Sequence, residues 1–243
     1  MARTLILGGT TEASRLARAL AERGRDAVFS YAGRTNNPVA QPLPTRVGGF
    51  GGMEGLVAYL RQEAITHVVD ATHPFAAQMS RNAVAACAAA GVDLCALERP
   101  AWRAMDGDTW QSVASIEQAV AALPDRPKRV FLAIGKQNLS EFAAVPQHHY
   151  LLRLVDPPLG DLPLPDTSVV IARGPFDTAQ DTALLQSHKI DLIIAKNAGG
   201  RGAEAKILAA RALKLPVIMI NRPQVPERLV FGEVDQVLGW LGH

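Results

Sequence analysis

The chain has 243 residues, 48% of them hydrophobic and 20% charged, with a formal net charge of +2. That length can bury one large α/β core or two small ones, and the composition excludes a disordered chain. Neither half carries a basic field of the size that nucleic acid requires, and no apolar run reaches the ~18–20 residues that span a membrane. The N-terminus runs straight into a strand without a signal-peptide pattern, so a cytoplasmic protein is expected. Cys87 and Cys95 have no metal-ligand or redox spacing and read as buried thiols; no metal site is expected.

In chain order, hydrophobic runs and breakers place strands near 3–8, 26–31, 44–47, 66–70 and 92–97, alternating with helices near 11–23, 53–63 and 75–90. The first junction, Leu5-Ile6-Leu7-Gly8-Gly9-Thr10-Thr11-Glu12, is a buried-strand run that breaks on a glycine pair and enters a helix at once. Glycines let backbone amides approach a ligand, and the new helix aims unpaired N–H groups and its positive dipole end at an anion. Gly8, Gly9, Thr10, Thr11 and Glu12 are therefore candidate coenzyme contacts. The third glycine of a G-x-G-x-x-G motif is absent, however, and a purely structural turn needs a glycine as well.

An NAD-binding fold carries an acidic residue about 20 residues further on. This chain instead reads Val28-Phe29-Ser30-Tyr31-Ala32-Gly33-Arg34-Thr35. A carboxylate there would repel a 2′-phosphate, whereas Ser30 and Arg34 would attract one, which points to NADPH rather than NADH. The glycines of Gly48-Gly49-Phe50-Gly51-Gly52 either let backbone pass close to a ligand or serve a flexible turn. In Asp70-Ala71-Thr72-His73-Pro74-Phe75, Thr72 is expected to N-cap the following helix and Pro74 to enter its first turn. His73 is left at the helix mouth as a candidate hydrogen-bonding contact.

Residues 99–108 carry Pro and Gly punctuation without a period and divide a first domain, 1–98, from a second, 109–243. The second series has strands near 109–113, 129–134, 148–154, 168–172, 190–195 and 216–220, with helices near 115–122, 137–142, 177–187, 202–213 and 233–241. Prolines make 156–166 an irregular connection. Ligands gather beyond the carboxyl ends of parallel strands, and here those ends carry cations: Lys136, Arg173, Lys196 with Arg201, and Arg222. Singly, each reads as a solvated surface charge. Together they suggest a polyanionic ligand, since clustered cations repel unless neutralised. Lys206 and Arg211 read as solvated helix charges, and Trp102 as a packing anchor.

Leu5-Ile6-Leu7-Gly8-Gly9-Thr10, Ser30-Tyr31-Ala32-Gly33-Arg34, Asp70-Ala71-Thr72-His73-Pro74-Phe75-Ala76, Ile134-Gly135-Lys136, Arg173-Gly174-Pro175-Phe176 and Lys196-Asn197-Ala198-Gly199-Gly200 occur in this order. With these motifs, essentially the whole chain resembles the precorrin-6A reductases of cobalamin biosynthesis. The resemblance implies NADPH-dependent reduction of precorrin-6A to precorrin-6B, with hydride delivered to C19 and a proton to C18. It also implies an α/β fold of two Rossmann-like parallel-sheet domains, one for coenzyme and one for substrate, that exchange their last strands; on that analogy 92–97 and 216–220 cross between sheets.

On this reading Gly8 to Glu12, Ser30, Arg34, Thr72 and His73 serve the coenzyme. Lys136, Arg173, Lys196, Arg201 and Arg222 serve the carboxylates of a tetrapyrrole substrate. No catalytic side chain is assigned, because hydride transfer belongs to the nicotinamide. A transient contact with the next pathway enzyme is expected. The alternatives are a cobalt-precorrin-6A reductase of the anaerobic pathway and a non-catalytic tetrapyrrole or nucleotide carrier. A short-chain dehydrogenase is disfavoured because no Y-x-x-x-K follows a fourth strand.

Overall fold

The computed structural model describes residues 2–33, 38–174 and 176–242. Arg34, a candidate for the 2′-phosphate, lies outside the described residues. In chain order the elements begin β1 (Thr4–Leu7), α1 (Thr11–Glu22), β2 (Ala27–Tyr31), β3 (Thr45–Val47), α2 (Gly52–Gln62), β4 (His67–Asp70), α3 (Ala77–Ala90) and β5 (Asp93–Leu97). They continue β6 (Trp110–Val113), α4 (Ile116–Ala121), β7 (Arg129–Ala133), β8 (His149–Leu154), β9 (Thr167–Ile171) and α5 (Thr178–Ser187). The series ends with β10 (Leu192–Lys196), α6 (Ala205–Leu213), β11 (Val217–Ile220), β12 (Leu229–Phe231) and α7 (Val234–Trp240).

The chain forms two compact units, Met1–Pro100 with Gln224–His243, and Ala101–Pro223. In the first, all strand pairs are parallel and the order is β12-β5-β4-β1-β2-β3. β1 is central and buried on both faces, as its unbroken apolar run requires. Its side chains alternate between two cores: Ile6 joins Leu16, Leu20 and Phe29 on one face, while Leu5 and Leu7 join Val28, Leu56 and Leu60 on the other. Ala13, Leu16, Ala17 and Leu20 form the buried stripe of α1 at helical spacing.

The second sheet has the order β6-β11-β10-β7-β8-β9, again parallel throughout. Numbered from its first central strand, each sheet follows the 3-2-1-4-5-6 order of a doubly wound dinucleotide fold. The sixth place is filled out of turn in both. β6, which follows β5 in the chain, lies beside β11, and β12, which follows β11, lies beside β5.

The exchanged strands are thus β6 and β12, not 92–97 and 216–220, each of which stays in its own sheet. The C-terminal segment from Gln224 groups with the first unit rather than with the 109–243 domain expected from the sequence. An ion pair stands immediately ahead of each exchanged strand. Before β6, Asp108 takes a bidentate pair from Arg211 at 2.8 and 2.9 Å. Before β12, Arg228 donates to Glu98 at 3.0 Å and approaches Asp70 at 3.7 Å.

Candidate active site

In a 3-2-1-4-5-6 sheet the crevice for a ligand opens where the connections from strands 1 and 4 depart in opposite directions. In the first unit these are β1 and β4, whose ends carry Gly8-Gly9-Thr10 and Asp70-Ala71-Thr72-His73. In the second they are β7 and β10, followed by Gly135-Lys136 and Asn197-Ala198-Gly199-Gly200. The motifs singled out in the sequence fall at both switch points.

The two glycines of the opening turn have different reasons to be there. A Cβ on Gly8 would meet the Phe29 ring at 2.1 Å, so Gly8 makes room for a core aromatic. Gly9 has φ of +126° with nothing within 4 Å of a would-be Cβ, which leaves the backbone open to a ligand. Thr10 caps α1 by accepting from the Ala13 amide at 3.1 Å, and its hydroxyl donates to the Ala71 carbonyl at 2.8 Å, tying the turn to the end of β4. Thr11 opens the helix. The Glu12 carboxylate receives Arg99 at 2.8 Å, so its charge is compensated where an anion is expected.

Ser30 is 4% exposed and its Oγ accepts from Arg46 Nη1 at 2.8 Å. Arg46, on β3, escaped the sequence reading. Its signal is the register Ser30↔Arg46, which is invisible until the strands are paired. Thr72 does not N-cap a helix: its hydroxyl and amide both donate to Asp70 Oδ1, at 2.7 and 3.2 Å. α3 starts only at Ala77, behind Ala76, which makes no side-chain cap. The carboxylate two residues back outcompetes the helix for the threonine. His73 is exposed and its Nδ1 accepts from the Phe75 amide at 3.2 Å.

In the second unit, parallel pairing sets the carboxyl ends of β7, β9, β10 and β11 along one sheet edge, which carries Lys136, Arg173, Lys196 and Arg222 together. Lys136 and Arg173 are exposed, the latter 3.9 Å from Asp156. Arg201 is exposed and begins a short 3₁₀ turn, Arg201–Ala203. Arg222 differs from a simple clamp: Nε donates to the Asn197 carbonyl at 3.0 Å and Nη2 to the Ala198 carbonyl at 3.1 Å.

Asn197 in turn holds the Trp102 backbone on both sides, accepting from its amide at 2.8 Å and donating to its carbonyl at 2.9 Å. The Trp102 indole donates to the Gly200 carbonyl at 3.0 Å. The loop after β10 is thereby fixed from below. Lys206, expected on a solvated face, is 5% exposed, lies over the Trp102 ring and donates to the Ala203 carbonyl. Arg153 on β8, also missed, pairs with Asp181 and stacks on Phe176, 3.6 Å from its centroid. That contact anchors the end of the Arg173-Gly174-Pro175-Phe176 motif.

Burial pushes both thiols up to about 12, with Asp70 adding to it, so Cys87 and Cys95 are inert protonated groups. Among the described residues no cluster of three His, Cys, Asp or Glu could hold a metal ion, and no helix is long and apolar enough to cross a membrane. A cavity of about 360 Å³ lined by Trp110, Arg126, Lys128 and Asp191 lies at the amino ends of β6, β10 and β11, the edge opposite the cation-bearing one.

Residues 3–242 match the family model described as Precorrin-6x reductase CbiJ/CobK. The chain is 66% identical to a precorrin-6A reductase of Rhodobacter capsulatus over 99% of this chain and 96% of that one. It is 50% identical to one from a Sinorhizobium species over 99% and 93%. A cobalt-precorrin-6A reductase of Priestia megaterium is 27% identical over 96% of each. A solved structure titled CobK precorrin-6A reductase superposes with a TM-score of 0.96 at 66% identity, covering 100% of this chain and 96% of that one. With two parallel-sheet units whose switch points carry the family's motifs, the chain belongs to the precorrin-6x reductases, oxidoreductases of cobalamin biosynthesis.

Proposed function

We propose that this chain reduces precorrin-6A to precorrin-6B with NADPH, placing hydride on C19 and a proton on C18 of the macrocycle. The observation that carries the reading is that two switch points of identical topology hold different chemistries. One presents an open glycine backbone ahead of a capped helix, and the other presents lysine and arginine strand ends. The open space at Gly9 suits a dinucleotide phosphate, because a side chain there would fill the approach.

Bound NADPH supplies the hydride. The chain's own residues bind and orient. Gly9, Thr10, Thr11 and Glu12 offer backbone at the start of α1, Ser30 and Arg34 serve the 2′-phosphate end, and Thr72 and His73 border the coenzyme. Lys136, Arg173, Lys196 and Arg201 meet peripheral carboxylates of the tetrapyrrole, with arginine forks suited to planar anions. Arg222 supports them by holding the Asn197 and Ala198 carbonyls. The product passes to the next pathway enzyme through a transient contact.

Relatives named precorrin-6A reductase are 40% to 66% identical to this chain, while those named for the cobalt substrate are 23% to 27% identical, which favours the metal-free macrocycle. The test is to incubate the protein with metal-free precorrin-6A and either coenzyme while following nicotinamide absorbance and product mass. NADPH is expected to be oxidised only with the macrocycle present, and the product to gain two hydrogens. Binding without oxidation would leave a carrier; turnover of the cobalt substrate alone would shift the reading to the anaerobic pathway.

A further inference from the structure

We propose that Arg46 sets the preference of the first unit for a dinucleotide bearing a 2′-phosphate; this rests on the NADPH reading above. The ribose 2′ group of a dinucleotide is read beyond the second strand of such a sheet. In this chain that strand is β2, and its in-register neighbour across the β2–β3 pair of Ser30 is Arg46.

The guanidinium is fixed there in three ways. Nη1 donates to Ser30 Oγ at 2.8 Å and to the Gly48 carbonyl at 3.0 Å. Nη2 donates to the Gly49 carbonyl at 3.1 Å. One face lies on the Phe50 ring, 3.8 Å from its centroid, with Tyr59 at 5.1 Å.

Every one of those acceptors is neutral. The largely buried Arg99, Arg153, Arg211 and Arg228 each face a carboxylate. Arg46 has none within ion-pair distance among the described residues. An arginine has five donors, so Nε–H and one Nη2–H remain without an acceptor among the described residues. Nε is not sealed from solvent, in contrast to Arg3 Nε and Arg228 Nε.

A cation held in one orientation with charge unmatched and a pair of donors left over is prepared for a phosphate, since the cost of ordering the side chain is already met in the free protein. Ser30, at 4% exposure, then acts as the seat of Arg46 rather than as the main phosphate contact. The loop backbone gains a role too: the carbonyls of Gly48, which has φ of +124°, and Gly49 position the guanidinium.

Calorimetric titration of the full chain with 2′,5′-ADP and with 5′-AMP separates the possibilities without turnover. Wild type should favour 2′,5′-ADP. Arg46→Met should weaken 2′,5′-ADP by about tenfold or more while changing 5′-AMP less than about twofold, with Arg46→Lys, which keeps the charge but loses the fork, in between. Equal weakening of both probes would make Arg46 a lock for the glycine loop alone and overturn the proposal, as would unchanged selectivity. If Arg46→Met does not fold, the same criterion applied to Arg46→Lys decides. Wild type without preference for 2′,5′-ADP would instead sink the NADPH reading itself.

Discussion

The two units share one strand order and differ in the segment that leaves their first central strand. After β1 the chain makes a glycine turn and a capped 12-residue helix. After β7 it makes Gly135-Lys136 and reaches only a five-residue 3₁₀ turn, Ser140–Ala144. The first junction therefore offers aligned backbone amides and a helix dipole, and the second offers side-chain charge. On the proposed reading, topology alone does not bring a dinucleotide; the element next after strand 1 decides what the switch point holds.

The comparison extends to the locks ahead of the exchanged strands, and breaking the first-unit lock is expected to have the largest effect. Arg228 is 7% exposed in its side chain and Asp70 is 1% exposed. Arg228→Met removes the cation and leaves Asp70 buried without it, which costs about 3–5 kcal/mol. Denaturant unfolding should show that loss. A loss under about 1 kcal/mol would mean that the exchanged strand is held by its backbone pairing with β5 instead.

The glycine pair gives the next effect. Gly9→Val forces a β-branched residue to a φ of +126° and fills the open approach, so NADP⁺ affinity should fall about 100-fold, ~2.7 kcal/mol, in calorimetry. Gly8→Ala pushes a methyl into the Phe29 ring and should cost about 1–3 kcal/mol of stability, with the folded protein still binding coenzyme. If both changes struck binding alike, the division of labour between the two glycines would be wrong.

Most of the fold was legible because it rests on local signals. Apolar runs marked the central strands, and the glycine break that enters a helix at once marked the first crossover. The parallel edge bearing Lys136, Arg173, Lys196 and Arg222 emerged once strand ends were set side by side. The features that could not be read depended on partners distant in sequence. β12, Leu229-Val230-Phe231, is apolar but only three residues long, too short a run to mark a strand, and two of the three are exposed. The identity of the exchanged strands is a question of who pairs with whom, which periodicity does not contain. Thr72 was misplaced because Asp70, two residues away, was not weighed as a competitor for its hydroxyl. Arg46 went unread because only the strand register puts it opposite Ser30, and Lys206 looked solvated because nothing in the sequence placed it over Trp102.

The smallest effect is a pH dependence at the lock of the second unit. The Asp108 carboxyl is held below the usual carboxylate range, mainly by the hydrogen bonds from Arg211 and secondarily by the Met105 amide, against burial. A carboxyl depressed in the folded state stabilises it fully above the unfolded value, about 3.9, and loses that contribution as pH falls through the lower folded value. Asp108→Asn should therefore lie below wild type in stability near neutrality and converge with it on acidification, as the wild-type carboxyl takes up its proton. Urea midpoints measured across the acid range test this. Parallel curves at every pH would show that Asp108 contributes through hydrogen-bond geometry rather than through its charge, leaving the lock of the second unit electrostatically silent.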